Sequence, residues 1–243
     1  HGDAQGSGKN HRRRRRACGA VMICWSSGFS LHRADKLKLE LQRKTHRVFA
    51  VKKIMNISSE LFSLKDQVAV VIGATGVLGG ALAEGLANAG AKVAVLGRNE
   101  ERGVARAKSI TDKGGQAAFF ACDAVSRESL AAAHKKIEAS LGAPTILLNA
   151  AGGNDARVSV TPDNPFENIS LEAWHANFDL NLVGGVFLPC QEFGPAMCRR
   201  GRGSIINIAS VASHIPVSRG VCYSAAKAAV LNLSQFLARE WAA

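Results

Sequence analysis

An apolar run, Val68-Ala-Val-Val-Ile72, leads straight into Gly73-Ala-Thr-Gly76-Val-Leu-Gly79-Gly80 and then into an Ala/Leu-rich stretch. This junction constrains the fold more than any other feature. A continuous apolar run suits a strand covered on both faces, as in parallel sheets. The glycines allow a tight turn and let the next stretch start as a helix. A parallel strand needs a crossover to reach its neighbour, so strand–helix units should repeat along the chain.

They do. Residues 77–89 read as a helix closed by Gly90, a good C-cap. Residues 92–96 form a second buried strand, 99–113 an amphipathic helix, and 117–122 a third strand. Ser126 caps a helix to about residue 141, with Glu128 in its first turn. Residues 145–148 are a fourth strand, and 152–169 a long polar loop with Pro162 and Pro165. Ser170 caps a helix over 171–197, which Pro189 and Pro195 are expected to bend or end. Residues 203–208 are a fifth strand and 221–241 a final helix. The fold class is α/β: a doubly wound parallel sheet in three αβα layers, its topology constrained by crossover handedness.

Charge divides the chain. The formal net charge is +12, but residues 1–60 hold 14 Lys/Arg against 4 Asp/Glu, and residues 61–243 hold 17 against 15. The basic excess therefore belongs to residues 1–60, with Arg12 to Arg16 at its centre, and the domain at 61–243 is nearly neutral. Three readings of residues 1–54 stay open: a non-native leader, a targeting segment, or a nucleic-acid-binding arm. The near-neutral body argues against nucleic acid as the main partner. In each case the segment is expected to be poorly ordered.

The six cysteines (Cys18, Cys24, Cys122, Cys190, Cys198, Cys222) form no C-x-x-C pair and no zinc-like cluster, so no metal is expected. They read as small buried hydrophobes of a reducing, cytoplasmic compartment. No stretch is long and apolar enough for a membrane span.

A glycine turn between strand and helix lets backbone approach a pyrophosphate and aims a helix N-terminus at it. Gly73-Ala-Thr-Gly76-Val-Leu-Gly79 resembles the T-G-x-x-x-G-x-G turn of the short-chain dehydrogenase/reductase family. Two departures stand out: Ile72 replaces the usual Thr, and the middle glycine sits one place early, at Gly76, with Val77 in its position. The resemblance implies a Rossmann fold and a nicotinamide cofactor. It places Gly73, Thr75, Gly76, Val77, Leu78 and Gly79 at the pyrophosphate, and Asp123 at the adenine. Asn149-Ala150-Ala151-Gly152, similar to the family's N-N-A-G, would steady the sheet and border the cofactor. Asp123 also reads as a simple turn or helix cap. The second strand ends Leu96-Gly97-Arg98-Asn99, with no carboxylate before Glu100. That favours NADP, held by Arg98, over NAD.

Carbonyl reduction needs a hydride and a proton. A free phenol is too weak an acid at neutral pH, and a nearby ammonium lowers its pKa. Tyr223, the only tyrosine, lies four residues before Lys227 on a predicted helix, so the two share a face. Tyr223-Ser-Ala-Ala-Lys227 matches the family's Y-x-x-x-K. By the same resemblance Ser210, thirteen residues before Tyr223, polarises the substrate, and Asn181 holds a proton-relay water; spacing favours Ser210 over Ser213. Tyr223 and Lys227 would also touch the cofactor. Asn154, Arg157, His214 and Arg219 are candidates for a polar or acidic substrate, or else solvated loop positions. Cys222 reads as packing, since nothing nearby looks like its base.

The resemblance covers residues 62–243. Gly152-Gly153-Asn154, Phe178-Asp-Leu-Asn-Leu-Val-Gly184 and Phe187-Leu-Pro-Cys-Gln191 are most similar to the D-mannonate oxidoreductase (fructuronate reductase) branch, whose substrates are keto and hydroxy sugar acids. Polyol and gluconate dehydrogenases and 3-oxoacyl reductases are close competitors. Family members continue with a sixth strand, a substrate-covering segment and a seventh strand. A C-terminally truncated fold lacking the last strands is therefore expected, with an open sheet edge and weak or no activity. The family also implies a homodimer or homotetramer, assembled through the helices of Asn181 and Tyr223.

Overall fold

The computed structural model describes residues 19–23 and 61–242. Six parallel strands form one sheet: β1 (Gly19–Ile23), β2 (Val68–Ile72), β3 (Lys92–Gly97), β4 (Gln116–Ala121), β5 (Ile146–Asn149) and β6 (Ser204–Ile208), in the order β1-β6-β5-β2-β3-β4. The helices are α1 (Val77–Asn88), α2 (Glu100–Asp112), α3 (Arg127–Ser140), α4 (Leu171–Phe178), α5 (Leu188–Arg200) and α6 (Val221–Trp241). This is the expected doubly wound αβα arrangement.

The central strands are apolar throughout because both faces are covered. Val70 and Ile72 pack with Leu147, Ile205 and the Phe193, Met197 and Val230 side of the molecule. Val71 points the other way, with Val93, Val95, Ala83 and Ile110. Each fully buried aliphatic side chain contributes about 1.5–3 kcal/mol. Cap chemistry fixes the helix starts: Asn99, Ser126 and Ser170 accept the backbone N–H of Arg102, Ser129 and Ala173 at 2.8, 3.1 and 3.2 Å. Helix α1 differs, since Gly76 offers no side-chain cap and no acidic residue occupies the first turn.

Two expectations need correction. The helix predicted over 171–197 is three segments: α4, a π-helix at Asp179–Phe187, and α5. Neither proline ends it. Pro189 lies in the first turn of α5, where a missing N–H costs little. Pro195 lies inside α5, which runs on to Arg200 while Phe193 and Met197 stay buried in the core.

The second correction concerns the sheet edge. The edge beside β6 is not open: Gly19–Ile23 pairs with it in parallel, from Gly19↔Ser204 to Ile23↔Ile208. The expectation of a poorly ordered leader fails for these five residues. An edge strand presents unpaired N–H and C=O groups, and this charge-free segment of the leader can meet them. The basic run Arg12–Arg16, Cys18, Cys24 and the rest of residues 1–60 lie outside the described residues. Among the described residues no helix is long and apolar enough to cross a membrane, and no group of three or more His, Cys, Asp or Glu could hold a metal ion.

Candidate active site

A cavity of about 700 Å³ opens at the C-terminal ends of β2, β3, β5 and β6. It lies between β2 and β5, where the onward connections run in opposite directions, from β2 to β3 on one side and from β5 to β6 on the other, the usual ligand position in open α/β sheets. Gly73, Thr75, Gly76, Val77, Leu78, Gly79, Arg98, Asp123, Ala150, Ala151, Gly152, Arg157, Tyr223 and Lys227 line it. The structure thus brings most of the sequence-derived residues to one wall or the other.

The glycine turn is shaped by close backbone approach. Gly73 and Ala74 both donate to Leu96 O at 3.1 Å, which ties the turn to β3. Gly73 has φ +80, and a Cβ there would stand 2.7 Å from Ala151 N. A Cβ on Gly79 would stand 2.3 Å from Gly73 O. Only glycine fits either place. Gly76, the displaced glycine, is less constrained: its backbone is extended, and a Cβ would meet Gly73 O at 3.3 Å. Val77, in the family's glycine position, is 85% exposed, so its side chain clears the turn. With no side-chain cap on α1, its first N–H groups remain available to an anion at the cavity wall.

Arg98 is exposed on the cavity wall just past β3, beside Asn99, which is spent as the cap of α2. Asp123 lines the cavity and also accepts the Val125 N–H at 3.3 Å, so it holds a turn from a position on the wall. Asn149 is different. It is 1% exposed and off the cavity wall: its Nδ2 donates to Asn207 Oδ1 at 2.8 Å, and Asn207 Nδ2 donates to Ser234 Oγ at 2.8 Å. The side chain of Asn149 therefore joins β5 to β6 and, through Ser234, to α6, while Ala150 to Gly152 form the wall.

Tyr223 and Lys227 sit one helical turn apart on α6, with Lys227 Nζ 5.8 Å from the Tyr223 ring centroid. Lys227 is 4% exposed and donates to Ile208 O at 2.8 Å, a bond that fixes the ammonium at the end of β6. Burial pushes its pKa down to about 8. Asn181 lies in the π-helix, a feature frequent at functional sites. Its Oδ1 accepts Gly153 N–H at 3.0 Å and its Nδ2 donates to Gly153 O at 2.8 Å. Asn181 thereby clamps the loop after β5, and it stands behind the wall formed by Gly152, Gly153 and Asn177.

Ser210 is half-buried two residues past Ile208, which lines the cavity. Its Oγ accepts Ala212 N–H at 3.2 Å, and it is not itself on the wall. Ser213 is spent elsewhere, donating to Lys227 O at 2.8 Å.

Asn154 faces its own loop, donating to Ser159 Oγ at 3.0 Å. His214 and Arg219 lie off the cavity wall on exposed positions; Arg219 has φ +66, and its carbonyl accepts Val160 N–H at 3.0 Å. That bond ties the loop after β5 to the loop before α6. Cys222 is buried and donates to Trp174 O at 3.5 Å, and burial pushes its thiol up to about 11, in keeping with packing. The sequence reading missed Asp155, Asn177 and Asp179, all on the wall. An Asp two residues before an Arg in a polar loop was the available signal for Asp155.

The family model described as short chain dehydrogenase matches residues 67–243. A D-threitol dehydrogenase from Mycolicibacterium smegmatis is 37% identical over 180 residues, covering 74% of this chain and 66% of the relative. A protein from Haemophilus influenza assigned as a D-mannonate oxidoreductase, solved with bound NAD, is 30% identical with a TM-score of 0.69, covering 74% of this chain and 67% of that one. A gluconate 5-dehydrogenase from Burkholderia cenocepacia, solved with NADP and tartrate, is 34% identical with a TM-score of 0.69, covering 76% and 69%. The chain thus spans about two thirds of the length of these relatives. With its glycine turn, its Tyr223/Lys227 pair and this match over residues 67–243, the chain belongs to the short-chain dehydrogenase family.

Proposed function

We propose that the chain is an NAD(P)-dependent oxidoreductase acting on a CH–OH or keto group of a sugar-like substrate, with a sugar acid of the mannonate/fructuronate kind as the favoured class. The single observation that carries this is one cavity holding both a backbone-built anion site at Gly73–Gly79 and a Tyr223/Lys227 pair. The chain's own residues fit a dinucleotide. The N-terminus of α1 would take the pyrophosphate, Asp123 would meet the adenine end, and Ala150 to Gly152 would border the nicotinamide end. Arg98 would take the 2′-phosphate of NADP, since no carboxylate stands there to prefer a free ribose. When bound, the nicotinamide supplies or accepts the hydride.

The side chains do the proton work. Tyr223 donates its phenolic proton to the oxygen of the reduced carbonyl, or takes it back in the reverse direction. The Lys227 ammonium, anchored on Ile208 O, stabilises the phenolate. Ser210 would reach the substrate oxygen from the end of β6 and stabilise its charge. Asn181 fixes Gly153 and with it the floor under the reacting atoms.

The test is NADPH and NADH oxidation against keto sugar acids and the matching neutral ketoses. Even weak turnover by the unmodified chain should fall in Tyr223→Phe by at least about 100-fold in kcat, within the usual range for loss of a general acid. Turnover unchanged in Tyr223→Phe would contradict the assignment. Saturable cofactor binding without turnover would leave a dinucleotide-binding fold in place of an enzyme.

A further inference from the structure

Three cations line the cavity: Arg98, Lys227 and Arg157. Arg98 stands at the end of β3, on the glycine-turn side, and Lys227 is buried against Ile208 O. Arg157 belongs to the Tyr223 side. Val158, the next residue, is buried with Ala173 and Cys222, and Cys222 immediately precedes Tyr223. Val160 N–H donates to Arg219 O at 3.0 Å, which ties the loop of Asp155 and Arg157 to the start of α6.

The guanidinium is held in one particular way. Asp155 caps the short turn Ala156–Val158, accepting Arg157 N–H at 2.9 Å. The same carboxylate takes Arg157 Nε at 3.1 and 3.3 Å and Nη2 at 2.7 Å. All these side-chain bonds use the Nε–Nη2 edge. A guanidinium has a second edge, the Nη1–Nη2 fork, which matches a carboxylate bidentately. An exposed ion pair this local adds only about 0–1 kcal/mol to the fold. Its greater consequence is to fix the guanidinium plane on the cavity wall. Asp155 and Asp179 also line the cavity, so without Arg157 an anionic substrate would meet uncompensated carboxylates.

We infer that Arg157, its plane set by Asp155, is the specificity element for a substrate carboxylate, so that the chain selects hydroxy acids over uncharged polyols of the same skeleton. The inference rests on the dinucleotide-dependent reading above and names how that site chooses its substrate. Asp155 acts as a positioning residue through Arg157.

The experiment compares L-tartrate with L-threitol, which share a four-carbon diol core and differ in carboxylate against hydroxymethyl ends. Each is titrated into the NADPH-saturated chain at fixed ionic strength, with binding read by saturation-transfer NMR. Tartrate should bind about 10- to 100-fold more tightly, the worth of a charge-assisted hydrogen-bond pair. Arg157→Gln should erase that preference while leaving threitol and NADPH affinities as they were. Arg157→Lys, which keeps the charge and loses the fork, should restore it only in part. Equal affinities in the unmodified chain, or a preference that survives Arg157→Gln, would overturn the inference. Failure of NADPH itself to bind would instead overturn the dinucleotide reading, and the inference with it.

Discussion

The two walls of the cavity are built from different materials. At Gly73–Gly79 the wall is backbone: Gly73 and Ala74 bond to Leu96 O, and the shape depends on the absence of Cβ atoms. At Tyr223 and Lys227 it is side chains, held by Lys227 on Ile208 O, Asn181 on Gly153 and Ser213 on Lys227 O. The difference teaches where tolerance lies. A backbone wall reads any bound group by shape and by N–H groups, so the exact side chain at Val77 matters little. A side-chain wall depends on identity, since a phenol and an ammonium have no substitutes. The displaced glycine is then no defect: Gly79 and Gly73 carry most of the steric demand, and Gly76 less.

Breaking the backbone wall should have the largest effect. Gly79→Val puts a branched side chain where even a Cβ would stand 2.3 Å from Gly73 O. The turn must shift, at a cost of about 1–3 kcal/mol or more, and NADPH binding should be lost in a direct titration. Gly76→Ala should keep it. Equal behaviour of the two variants would erase the distinction between demanding and tolerant glycines.

The side-chain wall should instead report through pH. Lys227 is charged at a cost, because burial lowers its pKa to about 8. Below pH 8 both folded and unfolded chains carry the proton, and the fold bears the full cost. As pH rises from about 8 to the ordinary lysine range, the folded chain loses the proton before the unfolded one, so the cost fades. The span is worth about 3 kcal/mol. Lys227→Met should therefore gain stability relative to the unmodified chain at pH 7, and that relative gain should shrink toward pH 10.5. Urea midpoints at the two pH values measure it, and a pH-independent difference would contradict the burial argument.

The smallest effect belongs to the edge beyond the side-chain wall. Deleting residues 1–54 removes the partner of β6. Each ladder bond contributes about 1 kcal/mol, but ordering each of the five residues costs about as much, so stability should change little. Self-association should change more, because the exposed edge is a template for pairing. Sedimentation velocity should show a larger concentration-dependent species after deletion. Unchanged sedimentation would mean that Gly19–Ile23 does not protect the edge.

Much of this was legible in the sequence. Continuous apolar runs marked the central strands, and cap residues such as Ser126 and Ser170 set helix starts to within a residue. The Tyr223/Lys227 spacing put both side chains on the cavity wall, because helical periodicity turns a four-residue gap into one face. What escaped depends on tertiary context. The π-helix over Asp179–Phe187 has no local signature, since no side-chain cap marks where it begins. Pairing of Gly19–Ile23 with β6 joins residues distant in sequence, and no pattern in a five-residue apolar stretch names its neighbour. Asn149 carries the right residue type for a cofactor wall, yet its side chain turns into the core to meet Asn207.

The most direct measurement is a fluorescence titration of the purified chain with NADPH and with NADH. Tryptophan emission, with Trp174 on the helix beside the cavity, and the enhanced emission of the bound reduced nicotinamide would both be followed. Saturable binding of each at a single site is expected, with NADPH about 10-fold tighter through Arg98, the worth of one charge-assisted contact. No saturable response to either dinucleotide would contradict the claim that Gly73–Gly79 and Tyr223/Lys227 form the two ends of one cofactor site.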